Sequence, residues 1–212
     1  IIKIESIQRF DLWRLWGQVR PQEEGGYNRG VLFNGVNLNK RSLTLNLNQP
    51  RGKEIFKRLV KMSDIVVVNF SARVMQNFGL TYPVLREVNP QIIMLSMPAF
   101  GGIGPWQHYV GFAAPVEEAS GVSYLCGYAD GGPMVTGIGD GISDTLAGLY
   151  GSFAALTALN YREKTGQGQY IDLSQSEALS CLIGETFVEF SMNQRNPQRL
   201  GNRHRFAAPY GC

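Results

Sequence analysis

The chain has 212 residues, of which 44% are hydrophobic and 17% charged, and its formal net charge is +3. That is the composition of a globular chain with a real core, long enough for one large domain or two small ones. Lys and Arg are scattered rather than clustered, which excludes the basic stripe of a nucleic-acid-binding surface. No apolar run approaches a membrane span.

The three cysteines, Cys126, Cys181 and Cys212, are far apart and odd in number. They fit neither a disulfide scaffold nor a zinc site, and they point to a reducing, cytoplasmic compartment. With only His108 and His204, a His-rich metal site is excluded. The chain begins at Ile1 without methionine, so an upstream segment is expected.

In chain order, IIKIE at 1–5 reads as a strand and residues 8–18 as an amphipathic, aromatic stretch. Residues 25–39, rich in Gly and Asn, read as loop. SLTLNL at 42–47 alternates as a strand does. Pro50 opens a helix through Met62, with Ile55, Phe56, Leu59 and Val60 at helical spacing. DIVVVNF at 64–70 is a Val-rich run that reads as a strand buried on both faces. A helix over 82–88 and a second buried strand, QIIMLSM at 91–97, follow.

Residues 98–141 are rich in glycine and loop, with a short helix over 113–120. The strongest helix runs from Ser143 to about Lys164. Its many Ala, Gly and Leu residues predict burial on most sides. TGQG at 165–168 ends it, QYIDLS at 169–174 is a strand, and Ser174 starts a helix to about Met192. Residues 193–212 are polar and irregular. The alternation predicts an α/β fold, a parallel sheet with flanking helices. Ligands of such sheets sit beyond the carboxyl ends of the strands, which marks the loops at Asn69 and Ser96.

Three glycine patches, at 101–104, 137–141 and 166–168, match no phosphate-binding motif and read as turns. Asp144 lies at the head of the long helix. As a cap, either it or Ser143 closes the helix start. As a functional group, its carboxylate feels the positive helix end and stays ionised, and Gly148 leaves the same face open. Such a carboxylate can attack an activated acyl group. Asp140, in a glycine loop, reads as a turn residue.

NKRSLTLNLNQPRGKEIFKRLVKMSDIVVVNF, FGLTYPVLREVNPQIIMLSMPAFGGIGP, GISDTLAGLYGSFAALTAL, YREKTGQGQYIDLS and NRHRFAAPYGC together resemble the class III CoA-transferases of the CaiB/BaiF type, in order and in register. Formyl-CoA transferases, carnitine CoA-transferases and α-methylacyl-CoA racemases belong to this group. The resemblance implies that residues 1–192 are part of a large, Rossmann-like CoA-binding domain whose start is missing. It implies that residues 193–212 lead toward an absent small domain, and that the full-length protein is an interlocked homodimer.

It implies further that CoA passes from an acyl-CoA donor to a carboxylic acid acceptor. Asp144 would form first an anhydride and then a thioester with CoA. CoA and acyl-CoA enter as substrates, with no tightly bound cofactor, no metal, no nucleic acid and no membrane. Leu45, Asn46, Leu47, Asn48, Asn69, Phe70, Ser71, Asn77, Val110, Gly111, Phe112 and Ala113 fall on segments that line CoA in formyl-CoA transferases. At Asn48 and Asn77 the family often carries a basic residue, and Ser6 replaces an arginine common in formyl-type members.

Similar racemases place a histidine in a "GHD" segment where this chain has Phe112, which cannot act as the acid or base of α-proton exchange. Formyl-CoA transferases have a glutamate at the position of Ala113, which argues against oxalate as acceptor. A non-catalytic CoA-binding subunit of a heteromeric transferase is the principal alternative, and a racemase-like enzyme the next.

Overall fold

The structure, a computed structural model, describes residues 1–15, 24–134 and 141–209. It divides into two compact units, Ile1–Leu59 and Val60–Cys212, and each is described by itself.

The first unit opens with β1, Ile2–Glu5. A short 3-10 turn at Leu12–Arg14 follows, capped by the Asp11 side chain, which accepts from the Trp13 N–H. A second 3-10 turn, Gly26–Arg29, leads into α1, Val31–Val36. The stretch expected to be loop is therefore partly helical. Of its four glycines, Gly25, with φ of 74°, and Gly30 stand at the N-caps of these turns, while Gly26 and Gly35 lie within them. β2, Arg41–Thr44, pairs with β1 in parallel, Ile2 opposite Arg41 and Glu5 opposite Thr44. α2, Pro50–Lys61, begins at its proline as the sequence predicts.

An ion pair stiffens this unit. The Arg14 guanidinium donates from Nε and Nη2 to the two carboxylate oxygens of Glu5, at 2.9 and 2.8 Å, and stacks 3.6 Å over the Phe33 ring. Both charged side chains are about nine-tenths buried, so each charge depends on the other. Hydrogen bonding to Arg14 holds the Glu5 carboxyl below its ordinary 4.5, against the opposing effect of burial and with help from the Asp11 N–H.

The second unit contains β3, Ile65–Val68; α3, Arg73–Phe78; α4, Tyr82–Val88; and β4, Ile93–Ser96. Next come α5, Ala113–Ser120; α6, Val122–Leu125; α7, Ile142–Thr165; and β5, Tyr170–Asp172. The strands form a parallel sheet in the order β3-β4-β5, with every crossover helical. β4 is the central strand and all four of its residues are buried. Ile92 and Ile93 are wholly removed from solvent, each contributing about 1.5–3 kcal/mol. The Val-rich strand β3 is less enclosed than its composition suggests, with Val67 57% exposed. It is an edge strand of this sheet.

The long helix expected after Asp144 is present over 24 residues. Its burial is narrower than its composition predicts. Only Ser143, Ala147, Gly151 and Ala158 are buried, one face of small residues. Leu149, Phe153 and Leu156 are exposed. Small side chains let this face lie close to the sheet. A Cβ added at Gly151 would stand 2.8 Å from Met97 Sδ and 3.2 Å from Leu95 Cδ2.

The last predicted helix is broken in two: α8, Gln175–Ser180, and α9, Gly184–Asn193, with a 3-10 turn at Cys181–Ile183 between them. Gly184, a poor helix interior residue, falls at the break. Ser174 caps α8 by accepting from the Glu177 N–H at 3.3 Å. Among the described residues, no helix is long and apolar enough to cross a membrane.

The stretch YREKTGQGQYIDLS acquires a structural reading. Arg162 donates to the Asp64 carboxylate at 2.9 Å and to the Asp64 and Gln91 carbonyls at 3.4 Å, gathering the amino ends of β3 and β4. Gly166, at φ of 71°, ends α7 and donates to the Arg162 carbonyl. Gly168 passes so close to Ile92 that an added Cβ would overlap its carbonyl oxygen. Asp172 accepts twice from the Gly102 N–H, at 2.9 and 2.8 Å.

Gly168→Ala is expected to destabilise the protein by about 3 kcal/mol, since backbone must move; urea unfolding midpoints measure this. Glu5→Gln should cost ~2 kcal/mol at pH 7, because it leaves the Arg14 charge half-satisfied. Glu5 has a lowered folded pKa, so its stabilisation is complete above 4.5 and fades as pH falls through the folded value. The gap between wild type and variant should therefore close in acid, as read from unfolding midpoints at pH 7 and pH 3.

Candidate active site

α7 runs antiparallel to the strands of its sheet. Its last turns reach the amino ends of β3 and β4 through Arg162, while Gly151 lies at Met97, just past the carboxyl end of β4. Asp144 is seven residues earlier on the helix, about 10 Å beyond that contact at ~1.5 Å per residue. The helix thus carries it out over the carboxyl edge, where ligands of parallel sheets bind.

The helix start is built differently from either cap considered in the sequence. Gly141 is the N-cap and offers no side-chain hydrogen bond, which leaves Asp144 in the third helical position. The Asp144 N–H donates to the Gly141 carbonyl at 3.2 Å. Its side chain is exposed, on the flank of the buried face. Gly148, one turn on, is also exposed, and a Cβ there would meet nothing within 4 Å. A carboxylate in the first turn faces the positive end of the helix, which favours its charge. Asp140 lies outside the described residues.

The helix start rests on α5. A Cβ at Gly141 would collide with the Ala113 methyl and stand 2.5 Å from Glu117 Oε1 and 3.1 Å from Ser143 Oγ. Only glycine permits so close an approach. Glu117 and Ser143 are wholly buried, and Ser143 Oγ has no hydrogen-bond partner among the described residues. Burial, and then the Glu117 carboxylate, push the Cys126 thiol up from its ordinary 9.0. That makes Cys126 a poor nucleophile.

The segment of Val110, Gly111, Phe112 and Ala113 is thereby brought against the start of the Asp144 helix. Phe112 is the N-cap of α5 and is 68% exposed. Gly111 is pressed onto Ala99, Phe100 and Val116, with a hypothetical Cβ 3.0–3.2 Å from each. Val116 in turn shares a buried cluster with Ala99, Val122 and Leu179 of α8.

Asn69, Phe70 and Ser71 form the exit of β3, where the Ser71 carbonyl accepts from the Val74 N–H at 3.0 Å to enter α3. The Asn69 side chain is held by Gln175, whose Nε2 donates to Asn69 Oδ1 and to the Met97 carbonyl, both at 2.8 Å. Gln175 is buried and ties the exits of β3 and β4 to α8. Asn77 stands exposed on α3.

In the first unit, Leu45, Asn46, Leu47 and Asn48 form the exit of β2. Leu45 is buried and its N–H donates to the Glu5 carbonyl at 2.8 Å. Asn46 Oδ1 accepts from the Asn48 N–H at 3.0 Å, and the Asn46 carbonyl accepts from the Gln49 N–H at 3.2 Å. A Cβ at Gly52 would overlap the Asn46 carbonyl, so α2 abuts this turn. These segments share one property: each leaves the carboxyl end of a parallel strand or abuts the head of α7.

Sequence reasoning missed Gln175, Asp172 and Glu117. Asp172 ends a strand and Ser174–Glu177 matches a helix-capping pattern, so those signals were legible. Nothing local distinguishes Gln175 from a surface glutamine. Among the described residues, no cluster of His, Cys, Asp or Glu could hold a metal ion.

The described residues thus set an exposed carboxylate at the head of a close-packed crossover helix of a parallel α/β sheet. Comparisons with known proteins give the family. The family model described as CoA-transferase family III matches residues 1–212, and the chain belongs to that family.

Among its relatives, the succinyl-CoA–L-malate CoA-transferase beta subunit of Chloroflexus aurantiacus is 37% identical over 174 residues, 82% of this chain and 43% of that protein. The succinate–glutarate CoA-transferase of Agrobacterium fabrum is 32% identical over 211 residues, 99% of this chain and 52% of that protein. A crystal structure of a CaiB/BaiF family protein from Brucella suis superposes with a TM-score of 0.86 at 32% identity, covering 99% of this chain and 55% of that one. The chain spans about half the length of the curated relatives it matches.

Gly148→Leu is expected to leave the fold intact or slightly firmer, because the site is open and leucine favours helix. It should raise the KM for acyl-CoA several-fold by filling the space beside Asp144. Thermal unfolding and donor-dependent kinetics on the full-length protein check the two halves.

Proposed function

We propose that the protein transfers CoA from an acyl-CoA thioester to a carboxylic acid, with Asp144 as the nucleophile. The observation that carries this reading is the position of Asp144. It is exposed in the first turn of α7, beside the open face of Gly148.

The bonds balance as follows. An Asp144 carboxylate oxygen attacks the donor thioester carbonyl, the C–S bond breaks, and CoA leaves as thiolate. The product is a mixed anhydride. The thiolate attacks the Asp144 carbonyl of that anhydride and expels the donor carboxylate, leaving an aspartyl-CoA thioester. The acceptor carboxylate attacks this thioester and releases thiolate again. The thiolate then attacks the acceptor carbonyl, yielding acceptor-CoA and regenerating the Asp144 carboxylate. Covalent storage replaces one hard exchange between poor nucleophiles with easier steps.

In this reading Asn69–Ser71, Asn77 and the Val110–Ala113 segment contact CoA, chiefly through backbone, and in the first unit, taken by itself, Leu45–Asn48 are the candidate CoA contacts. Residues 1–192 belong to the CoA-binding domain, and residues 193–212 lead out of it. The protein acts in the cytoplasm as an interlocked homodimer. The exposed apolar residues of α7 are consistent with a surface covered by another chain. A heteromeric assembly is the second reading, because relatives at 37% and 35% identity are named as beta and alpha subunits.

The test is covalent capture. Full-length protein incubated with acyl-CoA and then hydroxylamine should yield a hydroxamate at Asp144, found by peptide mass spectrometry and dependent on acyl-CoA. Asp144→Asn should abolish the label and lower transfer by about 10³-fold or more. CoA binding without any modification of Asp144 would overturn the nucleophile assignment in favour of a non-catalytic subunit.

A further inference from the structure

We propose that the acyl group presented to Asp144 is uncharged and apolar, an aromatic or bulky hydrocarbon acyl chain rather than a dicarboxylate. The inference rests on the transferase reading above and names its donor class.

Charge is the first argument. Residues 87–161 contain no Lys and no Arg. This stretch supplies β4, the glycine loop after it, the whole of α5 and α6, Asp144, and α7 up to Tyr161. Its charged side chains are all carboxylates: Glu87, Glu117, Glu118, Asp130, Asp140 and Asp144. Of these, the exposed Glu118 and Asp144 lie on the two helices that meet at the helix start, and an acyl chain ending in a second carboxylate would find no cation on these elements.

Surface chemistry is the second argument. Phe100 follows β4 and meets Trp106 edge-on at 5.8 Å and Tyr109 edge-on at 6.4 Å between ring centres. Trp106, Tyr109, Val110 and Phe112 are all exposed. Gly111 seats this strip on Phe100 and Ala99, and Ala113 seats it against Gly141, the N-cap of the Asp144 helix. The aromatic strip and the carboxylate are thus joined through one continuous set of contacts. The thioester carbonyl must reach Asp144, so its acyl chain must lie on the surfaces around the helix start. The strip offers ring faces and edges suited to a second aromatic group. Ala113, at the point of closest approach, adds neither charge nor bulk.

The test separates donor recognition from chemistry. Full-length protein is titrated with two unreactive thioethers of CoA, one bearing a 2-phenylethyl group and one a 3-carboxypropyl group. The phenylethyl analogue should bind about tenfold or more tightly. In parallel, phenylacetyl-CoA should exceed succinyl-CoA in kcat/KM as donor by a similar factor. Phe112→Arg, which places a cation on the strip, should move both ratios toward the carboxylate ligand. Equal or tighter binding of the carboxypropyl analogue overturns the inference and leaves the strip to a protein surface. The binding ratio holds whatever becomes of Asp144, so failure of the nucleophile assignment would be seen separately, as transfer or binding without a hydroxamate.

Discussion

The arrangement depends on one close approach, that of α7 to β4. Gly151 lets the helix backbone settle on Leu95 and Met97, and Ala147 and Ala158 continue the same narrow face. A larger side chain at Gly151 would lift the helix off the strand. The direction of approach also matters. Because α7 runs against the strands, the residues that pack are in its middle and the residue that carries charge is at its head. Asp144 therefore projects past the sheet without needing a long loop to place it, and helical geometry fixes its reach.

The head of the helix is held by a second close approach, between Gly141 and α5. Side-chain capping was the natural expectation for a Ser-Asp pair at a helix start, yet glycine takes the cap position and the two polar residues lie two and three places inside it. Ser143 turns into the core and Asp144 outward. α5 thus acts twice, bracing the Asp144 helix with Ala113 and Glu117 and presenting Phe112 at its own start.

Much of this was legible from residue pattern. The strands at 42–47, 64–70, 91–97 and 169–174 and the helices at 50–62, 82–88, 113–120 and 143–164 all formed, because their apolar periods and proline or glycine boundaries agree with local propensity. Where the pattern misled, the reason is physical. Residues 25–39 hold enough glycine to suggest loop, yet Gly25 and Gly30 take N-cap positions and Gly26 and Gly35 are accommodated within short helical turns. α7 is apolar on nearly every side, which reads as full burial, whereas this chain covers only the face of small residues. The continuous helix expected after Ser174 ignored Gly184. Roles that depend on residues distant in sequence, such as Gln175 joining Asn69 to Met97, leave no local trace.

The stretch from Arg162 to Ser174 has an evolutionary consequence. Arg162 ties the amino edge of the sheet, Gly168 threads past Ile92, Asp172 fixes the glycine loop at the opposite edge, and Ser174 caps the next helix. Every one of these duties is architectural. The side chain proposed to do chemistry sits on an exposed helix flank, apart from these positions. Selection on foldability and selection on turnover therefore act on separate positions. A descendant of this chain could lose the proposed activity in a single step while keeping the architectural features named here, and duplicated copies would be free to become scaffolding partners.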